Sequence, residues 1–202
     1  MAMATELETE RGIVRVPTGT WRVDPAHSSV EFRIKHMMIS TVRGRFGEFE
    51  GTIEAAPDYH DSRVWGTIAT ASIDTNAPDR DTHLRSADFF DVENHPEMSF
   101  RSTQIEHVKQ GDYRLTGDLT IHGETMPVTF EASVHGVERD PWGKQRVGVE
   151  VRGKISRSEF GLRWNQALEA GGVLVGDEVR VSADISAVCE SPEETESPEA
   201  TG

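Results

Sequence analysis

Cysteine occurs once in the 202 residues, at Cys189. A single thiol excludes an intrachain disulfide and any zinc site built from several cysteines. No apolar run approaches the roughly 20 residues that a membrane-spanning helix needs, so no integral membrane segment is expected. Basic residues are scarce too: 21 Lys and Arg stand against 35 Asp and Glu, a formal net charge of −14. That imbalance argues against a nucleic-acid backbone or an anionic membrane surface as the main partner. The opening MAMATELETERG is acidic and polar where a secretory leader is basic and then apolar, which makes the cytoplasm the expected location.

Catalytic signatures are equally absent. The eight histidines show no HExxH or HxH spacing, and there is no GxSxG, Walker-type loop or Gly-rich dinucleotide fingerprint. Cys189 has no activating neighbour in the sequence. No catalytic residue, metal ligand or cofactor is therefore assigned.

What the chain does have is a period of two. Val30, Phe32 and Ile34 alternate with Glu31, Arg33 and Lys35. Tyr113, Leu115, Leu119 and Ile121 share one face of the next clear run, and Met126, Val128, Phe130, Ala132 and Val134 share one face of another. Between those two runs His122-Gly123-Glu124 reads as a tight hairpin. About eight such strands, each wet on one face and joined by short turns, predict an antiparallel barrel or sandwich, and their length favours a tall barrel. Helix is expected only at 79–88 and, more weakly, at 163–172. Residues 1–17 read as a flexible N-terminal arm, 18–188 as the barrel domain, and 189–202 as a disordered acidic tail rich in Pro, Ser and Thr.

Five runs have the form apolar-x-Gly-x-apolar: VRGRF, FEGTI, VWGTI, LTGDL and VRGKI. At period two, Gly44, Gly51, Gly66, Gly117 and Gly153 lie on the apolar, inward face. Either they supply bends where strands curve, or they leave an unfilled lumen for a ligand. The two explanations are compatible.

The stretch RDTHLRSADFFDVENHPEMSF (80–100) is dense in His and carboxylates. Helical spacing pairs Asp81 with Arg85 and Asp79 with His83, and it separates Asp81 from His83, which removes the simplest local metal pair. Only a metal or acid–base site assembled with distant His36 or His122 is left, as the minor alternative. Leu84, Phe89 and Phe90 give the segment an apolar side. It is expected to be a salt-bridged helical cover over a barrel opening. His36, at the end of an alternating strand, is expected to point inward.

The order of WRVDPAHSSVEFRIKH, VRGRFGEFEGTI, DTHLRSADFFDVENHPEMSF, LTGDLTIHGETMPVTF and ISRSEFGL resembles the YceI-like family of polyisoprenoid-binding proteins over residues 19–188. The resemblance implies an extended eight-stranded antiparallel lipocalin-like β-barrel whose apolar tunnel holds an isoprenoid or other long-chain lipid. It implies Phe32, Ile34, Phe46, Phe89, Phe90, Phe100, Leu119, Phe130 and Phe160 as chain contacts, and His36, Arg85 and Arg157 as conjectural head-group partners. It also leans the inward glycines toward making room. The expected function is non-catalytic binding, transport or storage of the lipid, with a homodimer left open. The competing expectation is an enzyme acting on such a lipid through His36, His83 or His95.

Overall fold

The structure, a computed structural model, describes residues 14–169 and 171–190. The strands are β1 (Gly19–Val23), β2 (Ser29–His36), β3 (Ser40–Phe46), β4 (Phe49–Ala55), β5 (Arg63–Ala69), β6 (Ile73–Asp74), β7 (Glu97–Lys109), β8 (Asp112–Ile121), β9 (Glu124–Arg139), β10 (Gln145–Ser156) and β11 (Val175–Cys189), with one helix, α1 (Pro78–Arg85). Three pairs of segments are broken single strands. A 3₁₀ turn at Pro25–His27 interrupts β1 and β2, Gly47-Glu48 separate β3 from β4, and a 3₁₀ turn at Thr70–Ser72 divides β5 from β6. β11 pairs with β1 at its C-terminal end and with β2 along the rest, which closes the sheet. The result is the expected eight-stranded closed antiparallel barrel. Closure removes the unpaired sheet edges that an open β-sheet would expose.

The period-two faces map onto this architecture directly. Leu115 pairs with Phe130 and Tyr113 with Ala132, so the apolar faces of β8 and β9 point the same way, into the barrel. The hairpin between them forms as expected, with His122 and Gly123 at φ of 53° and 79°. That double left-handed turn matches the twist of the flanking strands. One end of the barrel is plugged by fully buried Trp21, packed with Val137, Val147 and Ala187, its indole N–H donating to the Pro17 carbonyl at 2.8 Å.

Several expectations are corrected. Residues 14–17 of the supposed arm are tied down: the Val14 N–H donates to the Gln110 carbonyl, the Tyr113 hydroxyl donates to Val14 O at 2.7 Å, and Val16 packs on the Trp21 cluster. Cys189 is not part of a tail but the last residue of β11. The rest of the arm and tail, 1–13 and 191–202, lies outside the described residues. No helix forms at 163–169. Asn165 instead uses its side chain to accept from the Val175 and Gln166 N–H groups and to donate to Val175 O, and Ala167 bridges Val173. Gly171 and Gly172, at φ of 85° and 100°, are also left-handed, which a right-handed helix cannot accommodate.

Helix α1 spans the expected region, one residue earlier at its start and ending at Arg85, but its predicted ion pairs do not form. Asp81 is buried and accepts from both the N–H and the hydroxyl of Thr75. Arg85 donates to the carbonyls of Ala71 and Ile73, and His83 pairs with Asp88 at 2.8 Å. The pairs expected within the helix are replaced by bonds from α1 to the chain before and after it. Asp81 and Arg85 stitch the helix to β6 and its flanking residues, and His83 ties it to the segment that follows, rather than stiffening it internally.

Candidate functional site

The barrel encloses a cavity of about 720 Å³ whose wall draws on all three apolar clusters of the core. That volume falls within the range of roughly 300–1,000 Å³ usual for small-molecule sites. All nine apolar residues singled out from the sequence, Phe32, Ile34, Phe46, Phe89, Phe90, Phe100, Leu119, Phe130 and Phe160, stand on this wall. The α1 end carries two groups of contacting rings. Phe32 meets Phe46 at 5.8 Å between centroids, and Phe46 meets Phe90 edge-on at 6.0 Å. Phe89 meets Trp164 at 5.3 Å, and His83 packs edge-on against both. The apolar cover is made by Phe89 and Phe90 in the turns after α1, rather than by the expected salt-bridged helix itself.

The inward glycines serve two purposes, and neither is simple emptiness. A Cβ on Gly44 would lie 2.3 Å from the Phe32 ring, one on Gly153 would lie 2.3 Å from the Phe130 ring, and one on Gly117 would lie 2.4 Å from the Arg101 carbonyl and 2.6 Å from the Phe100 ring. At these three positions an aromatic ring from the neighbouring strand packs against bare backbone. The ring therefore hugs the wall rather than projecting across the lumen. Gly66 differs: it pairs with Gly51, and its Cβ would come within 2.6 Å of the Glu50 carbonyl, so it marks a place where the sheet bends sharply.

The three conjectural head-group residues separate. His36 lies on the cavity wall at the end of β2. Arg157 also reaches the wall, but it is buried and its guanidinium donates to the carbonyls of Gly176, Leu162 and Trp164. Burial pulls its pKa below the usual guanidinium value, with Asp177 opposing. It serves to hold the 162–164 loop against β11. Arg85 is not on the wall and is engaged by the Ala71 and Ile73 carbonyls. His83, weighed from the sequence for acid–base chemistry, and Asp79, weighed as its helical partner, reach the cavity, as do Lys35 and Arg80, which carried no such expectation. The side chains of Lys35 and Arg80 break the apolar period and give no signal of their own.

Comparison with known proteins now bears on this geometry. The YceI-like domain family matches residues 21–187. The chain belongs to the YceI-like family. A UPF0312 protein of Staphylococcus epidermidis is 41% identical over 162 residues, covering 79% of this chain and 92% of that protein. Among solved structures, Burkholderia cenocepacia BcnA superposes with a TM-score of 0.72 at 25% identity, over 81% of this chain and 98% of that one. A polyisoprenoid binding domain from Saccharophagus degradans, implicated in plant cell wall breakdown, shares the fold with a TM-score of 0.65 at 15% identity, over 86% of this chain and 100% of that one.

Within this YceI-like barrel the histidines weighed for catalysis fall into different surroundings. His36 and His83 reach the cavity, whereas His95 does not. His95 instead packs at a tilt against His122, with ring centroids 4.3 Å apart, and Asp91 joins them. Burial, and then the neighbouring His95, push the His122 pKa below the ordinary imidazole value, with Asp91 and Glu124 pulling the other way. The sequence separates these residues by a whole hairpin, so no spacing rule could have joined them. Among the described residues, no helix is long and apolar enough to cross a membrane.

Proposed function

We propose that this chain binds a long-chain isoprenoid or similar lipid inside its barrel and carries or stores it without changing it chemically. The observation that carries this reading is the cavity itself: about 720 Å³, walled largely by aliphatic and aromatic side chains, with rings packed against glycines. A chain lipid gains roughly 0.8 kcal/mol for each methylene moved from water into such a wall, before the ordering costs of binding are subtracted. Support comes from the family membership and, at the level of fold alone, from the barrel shared with the polyisoprenoid binding domain of Saccharophagus degradans. The nine wall residues named above are the proposed chain contacts. His36 is the proposed head-group contact, because the donors of Arg85 and Arg157 are engaged by backbone carbonyls.

The test is solvent extraction of the purified full chain followed by mass spectrometry. A stoichiometric chain lipid, recovered with the same mass after prolonged incubation with the protein, is the expected result. Recovery of a chemically altered lipid would favour an enzyme, and extraction of no lipid at all would count against the binding role.

A further inference from the structure

Asp91, His95 and His122 lie outside the cavity, on two turns that the barrel topology brings together. Asp91 and His95 belong to the segment between α1 and β7, and His122 to the turn between β8 and β9. One ligand-capable atom of each (a carboxylate oxygen and two imidazole nitrogens) lies within 4.8 Å of the other two. In a tetrahedral site with bonds of about 2.0–2.1 Å the ligand atoms stand about 3.4 Å apart, so side-chain rotations of an ångström or so close the set.

The surroundings hold these groups in place. Asp91 and His122 both occupy left-handed backbone, at φ of 46° and 53°, which non-glycine residues adopt only where the local structure demands it. Asn94 donates to one Asp91 carboxylate oxygen at 2.9 Å, and the Asp91 carbonyl accepts from the His95 N–H at 2.8 Å. Fully buried Thr70 donates its hydroxyl to the His95 carbonyl at 2.8 Å. The His95 ring lies against Gly123, where an added Cβ would come within 2.9 Å, and the His122 ring lies against Gly161, where it would come within 3.2 Å. Among the described residues neither imidazole makes a hydrogen bond to another protein group, so their nitrogens remain available as ligands. A pair of imidazoles held by packing beside an oriented carboxylate is the arrangement that first-row divalent metals take, with carboxylate and imidazole suiting zinc and its neighbours.

We propose that Asp91, His95 and His122 form a binding site for a divalent first-row transition metal of the zinc type. Three protein ligands and partial exposure leave at least one coordination position to solvent. The ion fastens the segment that follows Phe89 and Phe90 to the β8–β9 turn, and so clamps the cavity's apolar cover to the barrel wall. The site stands on its own residues and does not depend on what the cavity holds.

The test uses the full chain, stripped with a chelator and titrated with Zn²⁺ by calorimetry. Thermal unfolding is followed in parallel, and Co²⁺ absorption reports inner-sphere imidazole and carboxylate ligation. Asn tolerates left-handed backbone, so His122→Asn and Asp91→Asn each remove a ligand without straining their turns. The metal-free variants should therefore unfold at the same temperature as metal-free wild type. The expected result is one saturable ion per chain, a midpoint that rises with Zn²⁺, and binding more than about 100-fold weaker in either variant, beyond the 10–100-fold typical of outer-shell losses. Absence of saturable binding in wild type, or wild-type affinity in both variants, overturns the proposal. If one variant fails to fold, the other decides the outcome.

Discussion

Gly153 carries no side chain, and the ring of Phe130 occupies the space its Cβ would take. The same exchange occurs at Gly44 with Phe32, its cross-strand partner. Adding the single carbon of Gly153→Ala must rotate or displace a buried ring. That effect outweighs the few tenths to 1 kcal/mol gained by restricting the unfolded chain. G153A is expected to destabilise the barrel by about 1–3 kcal/mol, read as a lower urea midpoint at unchanged slope, and pairing it with Phe130→Leu should recover part of the loss. A neutral G153A would show that the glycine is only a bend. At this scale much of the wall was legible, since period two identifies which of Phe32, Ile34, Leu119 and Phe130 face inward. The glycine–ring pairing was not, because it depends on which residues sit beside each other across strands. The Asp91–His95–His122 set was hidden for the same reason.

Broken strands and the helix show how elements are fixed by side chains that leave their own element. Asp24, at the break between β1 and β2, accepts from Arg146 of β10 at 2.6 Å, and Arg146 also donates to Asp140 in the β9–β10 turn. The Arg146 bond first, and then His27, hold the Asp24 carboxyl at about 2, below its ordinary 3.8. A depressed folded-state pKa contributes stability that is fully present above the unfolded value near 3.8 and is lost as pH falls through about 2. Arg146→Met is therefore expected to raise the Asp24 titration midpoint toward 3.8 and to flatten the loss of stability between about pH 4 and 2, as followed by carboxyl NMR shifts and acid unfolding. An unchanged midpoint would assign the shift to His27 and the Ala26 N–H instead. In α1 the sequence places the helix well but mispairs its charges. The i,i+4 rule compares only residues of one helix, while Asp81 finds Thr75 just after β6 and Arg85 finds β6 and the turn before it. Likewise 163–172 has helical composition, yet Asn165 and the Gly171-Gly172 pair divert the backbone, a local competition that composition does not register.

The whole molecule is a barrel whose interior was half solved by pattern alone. Strand count, antiparallel order and the inward faces follow from period two and short turns. Closure by β11 against both β1 and β2 follows from register, which sequence does not print. The family resemblance implies a lipid tunnel, and the geometry supplies the apolar cavity that the proposed role requires. Calorimetric titration of the delipidated full chain with a long-chain polyprenol, at several temperatures, tests the central claim most directly. The account predicts saturable one-to-one binding with a negative heat-capacity change, the signature of apolar surface leaving water. Failure to bind, or binding with no heat-capacity change, would contradict it.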